Sequence, residues 1–252
     1  MKTIAAPRVL ASALAFACLL IRPAAAQANP FDVQLAPIEV GATMPPTTFV
    51  DQRGAHFSFQ DARGQTTVVG FIYTRCADDC PVITQKFGVL NRLLGPGPYQ
   101  LVEISIDPSH DTLPVVQAYA RKFGATSSRW RILTGSPQRV ENFVRSSGVS
   151  VIDNGTDKLI HNARLLIVDP QGRLADVDEL VAWDPATVVA EVRHVAGKSS
   201  SLLGRADFAL TSAVAQFCGG SYKTASGILD VLASVLLVGS GIFILAWIQR
   251  RI

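Results

Sequence analysis

Phe71-Ile72-Tyr73-Thr74-Arg75-Cys76-Ala77-Asp78-Asp79-Cys80-Pro81 is the stretch on which the fold turns. An apolar, β-branched run over residues 66–73 has the composition of a buried strand. It breaks at Thr74-Arg75 and presents two cysteines four apart. A helical pattern follows from Pro81, with Phe87, Leu90 and Leu94 at helical spacing and Gly95 as its stop. Proline suits the first helical position, where its missing N–H is not needed, and it disfavours the α conformation for the residue before it. Cys80 is therefore expected at or near the N-cap, with Cys76 on the loop just before it. Both thiols would then face the positive end of a helix dipole, which favours thiolate, the form that attacks and that binds metal.

Outward from this stretch, strand and helix patterns alternate. Residues 47–50 and 56–59 flank Asp51-Gln52-Arg53-Gly54 as a hairpin. A second strand is expected at 100–106, then a helix with Asp111 or Thr112 as cap and Val115, Tyr119 and Phe123 on one face, ending at Gly124. A short strand at 130–133 precedes a helix opened by Ser136-Pro137, carrying Val140, Phe143 and Val144 and closed by Gly148. Strands at 164–168 and 174–177 flank the turn sequence Asp169-Pro170-Gln171-Gly172. Asp184-Pro185 opens a last helix with Val188, Val189, Val192 and Val195 inside and Gly197 after it. The pattern is that of an α/β domain with a mixed central sheet and helices on both faces.

The chain ends carry targeting patterns. Lys2 and Arg8, the apolar residues 9–21 and Ala24-Ala25-Ala26 before Gln27 read as a secretory signal at 1–26. Residues 231–248 form an uncharged apolar run bounded by Asp230 and by Gln249-Arg250-Arg251. With Ile228-Leu229 it is long enough for a hydrocarbon core of roughly 30 Å. A membrane helix at 228–249 is expected, with residues 250–252 cytoplasmic by the positive-inside rule. The folded domain, residues 27–198, then faces the periplasm, and 199–227 form a linker and juxtamembrane segment. Removing Lys2, Arg8 and Arg22 from the 23 basic residues leaves 20, equal to the 20 acidic ones, so no basic face for nucleic acid is expected. Of the four cysteines, cleavage removes Cys18. The remaining Cys76, Cys80 and Cys218 are too few for a disulfide framework, so the close pair reads as chemical; Cys218 is given no role.

Further motifs lie in order along the domain: Ile104-Ser105-Ile106-Asp107-Pro108-Ser109-His110-Asp111-Thr112, Trp130-Arg131-Ile132-Leu133-Thr134-Gly135, and His161 just before Leu165-Leu166-Ile167-Val168-Asp169-Pro170-Gln171-Gly172-Arg173-Leu174. With the strand running into Cys-x-x-x-Cys-Pro, they resemble the Sco/SenC family over residues 37–195. The resemblance implies a thioredoxin-like fold and copper, Cu(I) or Cu(II), held by Cys76, Cys80 and His161. It also implies service to the dinuclear copper site of cytochrome c oxidase during assembly, as copper donor or as reductant of that site's thiols. The implied partners are the oxidase subunit carrying that site and other periplasmic copper carriers or thiol reductants. Ala77 stands where the family usually has proline, and His161-Asn162 lacks the commoner neighbours of the histidine. The C-terminal span also departs from the N-terminal anchor of many members.

Two thiolates and one imidazole make a soft, low-coordinate set suited to Cu(I), and a structural zinc would want a fourth ligand. Spacing alone does not choose among His56, His110, His161 and His194; the resemblance selects His161. Asp78, Asp107 and Asp111 are acidic neighbours of the motifs, with helix capping the simpler reading of Asp111. The alternative function is a thiol–disulfide oxidoreductase using Cys76 and Cys80 as its redox pair. Against it, no proline precedes Arg164, where thioredoxin-type enzymes need one. A peroxidase of peroxiredoxin type would want threonine where Tyr73 stands.

Overall fold

The computed structural model describes residues 37–153, 155, 158–179, 182–200 and 210, which belong to the unit Gln34–Leu210. Strands β1 (Phe49–Asp51) and β2 (His56–Phe57) form the expected hairpin, closed by Gly54 in a left-handed conformation, φ 82°. Strand β3 (Thr66–Ile72) is buried at every residue, in keeping with its largely apolar and β-branched composition and its place inside the sheet. Helix α1 (Asp79–Leu94) follows, then β4 (Tyr99–Ser105), α2 (Leu113–Phe123), β5 (Trp130–Thr134) and α3 (Pro137–Ser146). The short strands β6 (Val151–Asp153) and β7 (Leu159–His161) pair only with each other. Strands β8 (Leu165–Val168) and β9 (Leu174–Asp178) and helix α4 (Pro185–Ser200) complete the chain's described elements.

The main sheet has seven strands in the order β2-β1-β5-β4-β3-β8-β9. β3, β4 and β5 are parallel, and antiparallel neighbours complete the sheet on both sides. It is therefore mixed. Side chains alternate between faces along a strand, and paired residues share a face. Gly70, Glu103 and Ile132 are in register and lie on one face. That face receives α1, whose Phe87 ring rests over Gly70; a Cβ there would stand 2.8 Å from the ring. Trp183, just before α4, packs edge-on against Phe87 at 6.0 Å. Phe49 points to the opposite face, where it meets Phe143 of α3 at 5.1 Å and Phe59 at 6.4 Å. Helices thus cover both faces.

Four features differ from the sequence reading. Helix α1 starts at Asp79, so Cys80 is the second helical residue and Pro81 the third. The first four helical N–H groups have no intrahelical partner, so proline costs nothing there. The buried face of α2 is Val116, Tyr119 and Ala120, whereas Val115 is exposed. Helix α4 does not stop at Gly197 but runs on to Ser200, with Gly197 lacking the positive φ of a helix stop. The β6–β7 pair had no sequence signature. The expected signal at 1–26, the span at 228–249, the tail at 250–252 and Cys218 lie outside the described residues. Among the described residues, no helix is long and apolar enough to cross a membrane.

Candidate metal centre

The parallel strands β3 and β4 end at the same edge of the sheet, which brings the loops after them together. Residues 73–78 lead from β3 into α1. Within them the Cys76 N–H donates to the Tyr73 carbonyl at 3.2 Å. The Cys80 N–H, one of the first-turn donors with no intrahelical partner, is directed at Cys76 Sγ at 3.4 Å. Cys76 and Cys80 are free thiols, Cys76 half-buried and Cys80 fully buried. Burial, reinforced by the contact with Cys76, pushes the Cys80 thiol well above its ordinary range. This corrects the expectation that the helix start favours thiolate at both cysteines. At Cys80 desolvation outweighs the dipole, and the thiol keeps its proton until something replaces it.

His161 closes β7. Its Nδ1 lies 3.0 Å from the Asn162 carbonyl, an acceptor only, so Nδ1 carries the proton and Nε2 presents a lone pair. Burial pulls its pKa below the ordinary value, with the Asn162 carbonyl opposing, so the ring is neutral at pH 7. The other three histidines, His56, His110 and His194, are exposed. Between the two halves stands Tyr73. Its ring meets His161 edge-on at 6.1 Å, and its hydroxyl donates to the Leu159 carbonyl at 3.2 Å. Burial, then the proximity of Cys76, pushes the phenol up to about 12, so it remains a donor. The structure therefore joins Cys76 to Cys80 and sets His161 against their neighbour Tyr73. Among the described residues, no group of three His, Cys, Asp or Glu side chains is close enough to hold a metal ion. Closing the three-residue set requires a local movement of the ring or of its hairpin.

The loop after β4 supports the cysteine loop. Asp111 was expected to cap α2. Instead, its carboxylate accepts from the Thr74 N–H at 3.1 Å, from the Thr74 hydroxyl, and from the Ser105 hydroxyl at 2.6 Å. Thr112 occupies the N-cap position without a side-chain cap bond. Burial raises Asp111, against these hydrogen bonds. Asp107 accepts from Arg75 at 2.7 Å and lies 2.7 Å from His110 Nδ1. Burial opposes ionisation there too, but the His110 and Arg75 contacts hold that carboxyl below its usual range. Neither carboxylate faces the two sulfurs as a third ligand. Lys158 pairs with Asp78 at 3.1 Å, joining the β6–β7 hairpin to the cysteine loop. Tyr73, Asp107 and Asp111 as supports were not read from the sequence; the signal available was the repeated ending of adjacent parallel strands in polar loops. Behind α1, fully buried Glu103 accepts from Thr84 at 2.7 Å and from the Trp130 indole at 2.8 Å, and burial pushes it up to about 7.

A mixed sheet flanked by helices, with a Cys-x-x-x-Cys at the junction of a central strand and its helix and a histidine on a separate hairpin, is the architecture of a thioredoxin-like α/β protein. A family model described as SCO1/SenC matches residues 36–197, well over half of the 252-residue chain. The chain belongs to the SCO1/SenC family. It is 27% identical over 134 residues to the SCO1 protein homolog of Bacillus subtilis, covering 51% of this chain and 69% of that protein. The copper-bound structure of Bradyrhizobium japonicum ScoI superposes with a TM-score of 0.53 at 23% identity, covering 61% of this chain and 99% of that one. BsSco, a member of the Sco family of cytochrome c oxidase assembly proteins in which a disulfide switch is identified, gives 0.52 at 25% identity, covering 63% and 95%.

Proposed function

We propose that this chain binds copper as cargo through Cys76, Cys80 and His161, and delivers it to, or maintains, the dinuclear copper site of cytochrome c oxidase during assembly. The observation that carries this reading is the contact chain Cys80–Cys76–Tyr73–His161 in a member of this family. Two soft sulfurs lie within one loop and helix turn, and a neutral imidazole with a free Nε2 lies across one ring. Such a set suits Cu(I), and three ligands leave room for an incoming ligand to displace an outgoing one. The half-buried Cys76 is the sulfur through which copper enters. Cys80 must then give up its proton, so affinity rises with pH. The copper-bound ScoI and the membership of BsSco in a family of cytochrome c oxidase assembly proteins support the cargo and its destination. The membrane-anchored, periplasm-facing topology read from the chain ends belongs to the same proposal.

The test is a Cu(I) titration of the purified, reduced chain against a chromophoric competitor. About one equivalent should bind, with binding lost in Cys76→Ala and Cys80→Ala and weakened in His161→Ala. Unchanged affinity in His161→Ala would remove the third ligand. Deleting the gene should lower oxidase activity, and added copper should restore it.

A second reading, a thiol–disulfide oxidoreductase acting on the thiols of that copper site, is favoured by the 3.4 Å contact of the Cys80 N–H with Cys76 Sγ and by the free state of both thiols. Dithiol–disulfide exchange that survives His161→Ala unchanged, beside weak copper binding, would select it.

A further inference from the structure

The hairpin that carries His161 pairs with no strand of the main sheet. What holds its ligand-bearing strand near the cysteines is therefore a matter of side chains. The Asp78–Lys158 ion pair is two-thirds exposed at both ends, so it orders little. Asn162 fastens the base of the hairpin, its Nδ2 donating to the Gly148 carbonyl at 3.1 Å and its Oδ1 accepting from the Ser150 N–H at 2.8 Å, but neither partner belongs to the cysteine loop. Tyr73 is different. It is 4% exposed and sits three residues before Cys76 in the same loop. Its carbonyl accepts from the Cys76 N–H, its ring meets the His161 ring edge-on, and its hydroxyl donates to the carbonyl of Leu159, two residues before His161 on the same strand. One residue thus joins the two parts, its backbone bonded within the cysteine loop and its side chain set against the histidine strand.

Resting on the copper reading above, we propose that the Tyr73 hydroxyl is the tie that positions His161 as a ligand, by fixing strand β7 to the loop that carries Cys76. Tyr73 does not itself touch the metal; it is a positioning residue. Phenylalanine at this place keeps the ring and its edge contact and removes the hydroxyl, both its bond to Leu159 and its interaction with Cys76. The His161→Ala background separates the two, because loss of the Cys76 interaction weakens binding in either background.

The experiment compares the full chain, Tyr73→Phe, His161→Ala and the double variant by Cu(I) competition titration, with circular dichroism melts to show that each is folded. A single hydrogen bond of ordinary strength corresponds to about a fivefold change in affinity. Tyr73→Phe should weaken copper binding by about that factor, and should cause no further loss in the His161→Ala background. In the Cu(II)-loaded form, Tyr73→Phe should also lose part of the imidazole nitrogen coupling in the electron paramagnetic resonance spectrum. No loss in Tyr73→Phe, or an equal loss in both backgrounds, overturns the tie while leaving the three-ligand reading standing. A His161→Ala variant that binds as tightly as the parent overturns both.

Discussion

Each titratable residue near the site is governed by what surrounds it. Cys80 is deeper than its place at a helix start would imply, and its thiol is held protonated by burial. Burial holds His161 below the ordinary imidazole range, so protons compete for its Nε2 only in more acid solution than for a free histidine. The part of the copper affinity lost in His161→Ala should therefore hold through neutral pH and fall only on acidification, at a lower pH than for an exposed histidine ligand; paired titrations of parent and variant check it. Glu103 is a separate case, because it is buried without a counter-charge among the partners that bond it. Its pKa rises from 4.5 to about 7 on folding, so the folded state binds the proton more tightly than the unfolded one. Stability from this group is full below about pH 4.5, declines as pH climbs through the window, and is lost above about pH 7. The loss is at most about 3 kcal/mol. Glu103→Gln should flatten this slope and raise the denaturant midpoint at pH 8, since the neutral amide can still bond Thr84 and Trp130.

At the scale of elements, the cysteine loop is built by two strands and not by one. Asp111, beyond the end of β4, gathers the Thr74 N–H, the Thr74 hydroxyl and the Ser105 hydroxyl. Asp111→Ala strands these donors and should cost about 2–3 kcal/mol in chemical denaturation. It should also speed alkylation of Cys76 by a small electrophile, because the loop loses its anchor. Gly70→Ala drives a Cβ to within 2.8 Å of the Phe87 ring and should cost about 1–3 kcal/mol by the same measurement. Buried elements were legible because burial writes itself into composition. β3 is an apolar run after its two opening threonines, and α3 shows Val140, Phe143 and Val144 at helical spacing. The β6–β7 pair left no such trace: Val151, Ile152 and Asp153 are all exposed, so no face had to be apolar. The choice of Val115 over Val116 on α2 failed because two adjacent valines satisfy either phase of the helix, and only packing decides between them. Cys76 and Cys80 were legible from their spacing, since a strand, a turn and a helix start must bring them together. His161 was not legible from spacing, because it reaches the site on a hairpin with its own short sheet; resemblance alone had singled it out.

Across the described domain, seven strands form one sheet and the histidine arm pairs only with itself. The parallel strands fix Cys76 and Cys80 at one edge. The arm stands against them through Tyr73, with the three donor groups not yet closed on one point. Under the proposed copper-carrier function, capture would bring His161 in toward the two sulfurs and release would reverse that movement. X-ray absorption of the copper-loaded chain, compared with its His161→Ala variant, tests the convergence of these three residues most directly. The account predicts two sulfur ligands and one imidazole nitrogen in the parent, with the imidazole signal gone and both sulfurs kept in the variant. A parent spectrum without imidazole scattering, or an imidazole signal that persists in His161→Ala, would contradict it.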